Sequence, residues 1–135
     1  MGRDYNRPAI VIDVDGTLCD TNSAKKYGSY KDVNPKQSVI DALNEYAKRG
    51  WYIIICTARQ ERTFEGNVGK RTAFMLPVLI EWLNEHHVPF DEIRIDKPWH
   101  GHNGFCVDDK TVPTKVFIDK TPDEIQEWLK QRNVE

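Results

Sequence analysis

Apolar residues recur along this chain in two rhythms, short unbroken runs and longer stretches with spacings of three and four. The runs Ala9-Ile10-Val11-Ile12 and Trp51 to Cys56 read as buried strands, and Glu92 to Ile95 and Gly104 to Val107 as two more. Val116-Phe117-Ile118 adds a candidate fifth strand at an edge. Between them lie helix patterns. Asn34 is placed to cap the first, Pro35 to occupy its first position, and Val39, Ile40, Leu43, Tyr46 and Ala47 to form its apolar stripe before Lys48-Arg49-Gly50 ends it.

Pro77 starts a second helix with Val78, Leu79, Trp82 and Leu83 on its core face, closing around His86-His87-Val88-Pro89. In the last helix Thr121 and Glu124 are spaced for reciprocal capping, and Ile125, Trp128 and Leu129 face inward. Gln60 to Thr72, polar and carrying Gly66 and Gly69, reads as a loop or broken helix. Strands alternating with helices predict an α/β protein, a Rossmann-like three-layer α/β/α sandwich on a mainly parallel sheet.

Composition narrows the class. At 135 residues, with no repeat, linker or low-complexity stretch, the chain is expected to form one domain over residues 1–135. Nineteen Lys and Arg against 21 Asp and Glu, net −2, leave no global basic footprint for duplex nucleic acid. Cys19, Cys56 and Cys106 form no Cys-x-x-Cys, so neither a disulfide framework nor a zinc ribbon is expected, and Cys56 and Cys106 read as small core residues. No apolar stretch reaches the roughly 20 residues of a membrane span, and Met1 to Tyr5 is not a secretory h-region. Gly2 does not complete a myristoylation signal, because Asn6 stands where Ser or Thr is needed. The expectation is a cytoplasmic protein without membrane insertion.

The chemistry concentrates just past the strands. Asp13 and Asp15 follow the first, and Gly16 lets the chain turn away, so two carboxylates face the crevice outside the sheet's carboxyl end. Asp-x-Asp-Gly also occurs in calcium loops, but the apolar run before it and the lack of an oxygen-rich continuation ending in Glu argue against one. Thr57 follows the second strand, Lys97 the third, and Asp108 and Asp109 the fourth. An attacking carboxylate, a hydroxyl, an ammonium and acids for a hard cation are the parts that phosphoryl transfer needs.

With these parts in this order the chain resembles the haloacid dehalogenase superfamily, whose four motifs match Asp13-Val14-Asp15-Gly16-Thr17, Thr57, Lys97 and Asp108-Asp109. The stretches Thr63 to Lys70, Lys97-Pro98-Trp99 and Gly104 to Lys110 look like a small capless subgroup described as capsular-polysaccharide-biosynthesis phosphatases. The resemblance implies that Asp13 attacks phosphorus to give an aspartyl-phosphate, while Asp15 protonates the leaving oxygen and later activates water. It implies phosphoryl binding by Thr57 and Lys97, and Mg²⁺ held by the Asp13 carboxylate, the Asp15 carbonyl and an acid from Asp108-Asp109. Dehalogenases of the superfamily lack the second acid, so Asp15 favours phosphate substrates.

Neither place where larger members insert a cap has room for one: Cys19 to Asn34 makes a flap at most, and Gln60 to Thr72 a lip. The lip's candidates for substrate contact are Arg59, Arg62, Lys70, Arg71, Phe64, Trp99 and His100. His100-Gly101-His102 lacks the partner spacing of a zinc site and is expected to line the entrance. The leading expectation is an Mg²⁺-dependent phosphomonoesterase acting on a sugar phosphate or related intermediate of surface-polysaccharide assembly, a phosphorylated small molecule or polymer end. The alternative is a nucleotide or polynucleotide 3′-phosphatase, since capless domains with an Asp-Asp fourth motif also resemble those enzymes. A non-catalytic phosphate-binding module ranks below both, because carboxylates clustered without employment repel one another.

Overall fold

The computed structural model describes residues 3–20 and 30–132. The chain forms two compact units, Met1–Trp99 and His100–Glu135. In the first, three parallel strands lie in the order β1 (Ala9–Ile12), β4 (Tyr52–Cys56), β5 (Glu92–Arg94). Ala9 pairs with Tyr52 and Ile12 with Ile55, then Ile54 with Glu92 and Cys56 with Arg94. Parallel strands need crossovers, and helices provide them. Helix α1 (Gln37–Lys48) links β1 to β4, and α2 (Val68–Phe74) with α3 (Leu76–Glu85) links β4 to β5.

Helices α1 and α3 bury most of the stripe that their spacing predicts, Ala47 and Val78 being only partly covered. Val39, Ile40, Leu43 and Tyr46 of α1 are buried, as are Leu79, Trp82 and Leu83 of α3, against a sheet whose Ile53, Ile54 and Ile55 are at most 3% exposed. Gly50 takes φ +86° to end α1, a conformation costly for other residues, and Pro77 lies in the first turn of α3. The first strand is less enclosed than an unbroken apolar run suggests. Ile12 is buried, whereas Val11, on the other face, is 65% exposed.

The start of α1 differs from expectation. Asn34 and Pro35 form a two-residue strand, β3, antiparallel to β2 (Cys19–Asp20), and Lys36 takes the N-cap position without capping the helix through its side chain. The Lys36 amide donates to the Leu18 carbonyl at 2.8 Å, so the segment is held to the loop after β1 before the helix begins. The predicted flap begins in β2 and ends in β3, and its residues 21–29 lie outside the described residues.

The second unit corrects two strands. Val116 to Ile118 lies in α4 (Thr114–Asp119), because Pro113 precedes a turn in which Phe117 N–H bonds the Pro113 carbonyl and Lys115 pairs with Asp119 one turn on. Here i,i+4 partners outweigh the β preference of Val and Ile. Gly104 to Val107 forms no strand, and Phe105 and Val107 are exposed, as is Cys106, which is therefore no core residue. A strand is defined by a ladder partner that a four-residue run cannot supply from its own sequence. Helix α5 (Pro122–Arg132) has its expected reciprocal cap: Thr121 N–H donates to Glu124 at 2.9 Å, and Glu124 N–H to the Thr121 hydroxyl at 3.3 Å.

One buried bond ties α3 to the chain before α1: the Trp82 indole N–H donates to the Val33 carbonyl at 3.0 Å. Trp82→Phe leaves that carbonyl unpaired and is expected to lower stability by about 1–3 kcal/mol. Denaturant unfolding measures this, and an unchanged midpoint would show that the bond adds nothing.

Candidate active site

The register sets the site. Because Ile12 lies beside Ile55, and Thr57 N–H continues the ladder to the Arg94 carbonyl at 2.9 Å, Asp13, Thr57 and the chain leading to Lys97 emerge from the same end of the sheet. After Asp13 the backbone closes a tight loop. The Val14 carbonyl accepts the amides of Thr17, Leu18 and Cys19, and Gly16 turns at φ +83°. The Lys36 ammonium caps the loop from outside, donating to the Gly16 carbonyl at 3.0 Å.

The two acids, one residue apart, have different partners. Asp13 meets the Lys97 ammonium at 3.3 Å, with both side chains about one third exposed or less. Asp15 meets Arg59 instead. Arg59 Nη2 lies 2.8 Å from Asp15 Oδ1, and Nε lies 3.2 Å from Oδ1 and 3.0 Å from Oδ2. The Arg59 side chain is 1% exposed, so this is an interior pair. The ring of Tyr30, in the 3₁₀ turn Tyr30–Asp32, packs on the guanidinium with its centroid 4.5 Å away.

Thr57 is buried, and its hydroxyl oxygen accepts the Arg59 amide at 3.0 Å, leaving the hydroxyl proton to be donated elsewhere. Arg71, from α2, is buried as well. Its Nε donates to the Arg59 carbonyl at 2.7 Å and Nη2 to the Thr57 carbonyl at 3.0 Å, while Nη1 donates to the Ile95 carbonyl. One guanidinium thus ties the turn after β4 to the chain after β5.

These contacts correct the predicted lip. Arg59 and Arg71 point into the protein, because each finds acceptors there that satisfy a buried cation: a carboxylate for one, three carbonyls for the other. Lys70 and Arg62 are exposed, and Trp99 is 38% exposed, its amide bonded to Glu61 at 2.7 Å and its ring 6.0 Å from the Arg62 guanidinium. Phe64 stacks on Phe74, which is itself exposed. In the second unit His100 is exposed, and Gly104 packs so closely that a Cβ would lie 2.1 Å from the His100 carbonyl oxygen.

Asp108 and Asp109 also lie in the second unit, in an exposed turn where Asp108 accepts the Lys110 amide at 2.8 Å. That bond, with others from Asp109, holds the Asp108 carboxyl below its ordinary value. Among the described residues no three His, Cys, Asp or Glu side chains gather closely enough to hold one ion. Asp13 and the Asp15 carbonyl are hard oxygen donors of the kind Mg²⁺ takes, and the Asp13 carboxylate, already beside one cation, is accessible.

Tyr30 and Lys36 carry no sequence signal for their place at the site, and Arg71 carries one for the lip only. Tyr30 lies in a stretch without periodicity and gives no signal. Lys36 reads as a helix-start charge. Arg71 shows only as one of several cations in a polar segment, though its place three and four residues before Phe74 and Met75 puts it on a helix that must face the sheet somewhere.

Fold and strand-end residues together define an α/β protein of the Rossmann-like kind, with its candidate site outside the carboxyl ends of parallel strands. The family model of the polynucleotide kinase phosphatase domain matches residues 7–120. A crystal structure of a protein from Vibrio cholerae is 41% identical, covers 93% of this chain and 99% of its own, and superposes with a TM-score of 0.87. Comparison with curated proteins finds no match. The chain belongs to the haloacid dehalogenase superfamily, in the family of that phosphatase domain, and is a phosphoric monoester hydrolase acting on a phosphorylated substrate. Phosphatases of this superfamily generally use Mg²⁺. No helix among the described residues is long and apolar enough to cross a membrane.

Cys19 lies buried against this site, and burial, with the nearby Asp15 charge, pushes its thiol up to about 12 despite Arg59. At pH 8 it stays protonated and inert toward alkylation. Iodoacetamide at pH 8 is expected to modify exposed Cys106 and spare Cys19 in the folded protein. Peptide mass spectrometry reads the outcome, and equal modification of both would contradict the packing.

Proposed function

We propose that this chain is an Mg²⁺-dependent phosphomonoesterase in which Asp13 is the nucleophile and Asp15 the general acid and base. The observation that carries this reading is the difference in partners: Asp13 is accessible beside an ammonium, while Asp15 is oriented by a buried guanidinium. A nucleophile must approach phosphorus, and a proton-transfer group must be held in one orientation. Asp13 Oδ forms a bond to phosphorus as the ester P–O bond breaks, and the Asp15 carboxyl proton passes to the leaving oxygen. Asp15 then removes a proton from the water that attacks the aspartyl-phosphate, which regenerates Asp13 and releases phosphate. Thr57, through its hydroxyl proton, and Lys97, through its ammonium, hold the non-bridging oxygens.

Mg²⁺ would be held by the Asp13 carboxylate and the Asp15 carbonyl, with an acid of the Asp108-Asp109 pair assigned from motif order alone; when bound it neutralises charge on the phosphoryl group. For the substrate we favour a sugar phosphate or related intermediate of surface-polysaccharide assembly. This rests on the likeness of Thr63 to Lys70, Lys97 to Trp99 and Gly104 to Lys110 to the capless capsular-polysaccharide phosphatases. A polynucleotide 3′-phosphatase is the second reading, favoured by the family match and by Trp99 and Arg62, an aromatic face and a cation suited to a base and a backbone phosphate. Three cysteines without a disulfide among them suit a reducing compartment such as the cytoplasm.

Phosphate release with Mg²⁺ over sugar phosphates, nucleotides and 3′-phosphorylated oligonucleotides is the test. Hydrolysis of at least one class, with preference for sugar phosphates, is the expected result. Preference for the oligonucleotides, weakened by salt, selects the second reading. Asp13→Asn is expected to abolish turnover in folded protein, and hydrolysis at the parent rate would remove Asp13 as nucleophile. Chelation should likewise stop phosphate release and added Mg²⁺ restore it; activity that persists in chelator would refute the metal requirement.

A further inference from the structure

We infer that Arg59 is a positioning residue that fixes the plane of the Asp15 carboxyl for proton transfer. This rests on Asp15 being the acid and base of the proposed reaction. Arg59 Nη2 lies 2.8 Å from Asp15 Oδ1, and the single Nε proton is shared between Oδ2 at 3.0 Å and Oδ1 at 3.2 Å, so the guanidinium grips both oxygens. The Cys19 thiol adds a weak contact to Oδ1 at 3.7 Å. A carboxylate has about four lone-pair sites, so a site for the transferred proton stays open while the fork fixes the plane in which it lies.

The guanidinium is itself fixed. Tyr30 covers one face at 4.5 Å, the Arg59 amide is held by the Thr57 hydroxyl, and the Arg59 carbonyl by Arg71. A planar fork held at both ends of its residue fixes the carboxyl plane, which an ammonium at the same position cannot do. Arg59 Nη1, buried and without a partner, takes no part in gripping Asp15. The arrangement explains why a cation two residues beyond Thr57 turns inward rather than out to the substrate's entrance.

Leaving groups supply the test. Good leaving groups depart without a proton and poor ones need it, so a fault confined to Asp15 shows in kcat/KM for poor leaving groups. With Mg²⁺, kcat/KM is compared for an alkyl phosphate and for p-nitrophenyl phosphate in the parent, Asp15→Asn, Arg59→Ala and Arg59→Lys. Folding of each variant is checked by circular dichroism. Both Arg59 variants are expected to lose about tenfold or more on the alkyl ester beyond any loss on the nitrophenyl ester, as Asp15→Asn does. Added guanidinium should restore part of the alkyl-ester activity of Arg59→Ala. Equal losses on the two esters in the Arg59 variants, while Asp15→Asn discriminates, overturn the inference and leave Asp15 as the acid. No discrimination in Asp15→Asn overturns the acid assignment and the inference with it. If Arg59→Ala fails to fold, Arg59→Lys decides: a folded variant with the parent's ratio between esters overturns the inference.

Discussion

Everything at the candidate site depends on the parallel register of three strands. With Ile12 beside Ile55 and Cys56 beside Arg94, the chain after each strand leaves from one end of the sheet, and side chains over eighty residues apart in sequence become neighbours. Register is strongly specified, because a slip by one residue would exchange the side chains on the two buried faces of the central strand, where Ile53 and Ile55 fit one and Ile54 the other. Arg71 then fixes what the ladder alone does not. By donating to carbonyls of Thr57, Arg59 and Ile95 it ties the two turns that carry the hydroxyl and approach the lysine.

Within that frame the two acids diverge through their partners and not through their sequence context. Asp13 stays accessible beside Lys97, and Asp15 is held from behind by a buried guanidinium. An interior ion pair of this kind adds little net stability over an apolar substitute, but removing one partner strands the other. Its value lies in orientation. The electrostatics agree on which groups are spectators: Cys19, and Tyr30, whose phenol is raised first by burial and then by the Asp15 charge, are kept neutral beside the site.

Much of this was legible in the chain. The apolar runs before Asp13 and Thr57 announced strands, the ordered motifs pointed to a phosphatase, and Thr121 with Glu124 announced a helix start, because each signal is local and carried by spacing. The rest depended on partners distant in sequence. A long cation such as Arg59 or Arg71 carries no local mark of whether it points to water or to a carboxylate, and only tertiary packing decides. Gly104 to Val107 looked like a strand because its composition is strand-like, yet it has no ladder. Val116 to Ile118 looked like one too, and Pro113 with the Lys115–Asp119 pair made it helical.

In the proposed reaction Asp13 becomes covalently phosphorylated. The most direct measure of this step is acid quenching of the enzyme during turnover of a phosphate monoester, borohydride reduction of any acyl phosphate, and peptide mapping by mass spectrometry. Conversion of Asp13 alone to the reduced alcohol, dependent on substrate, is the expected result. Steady hydrolysis with no modified Asp13 under conditions that trap acyl phosphates, or modification at another carboxylate, would contradict it.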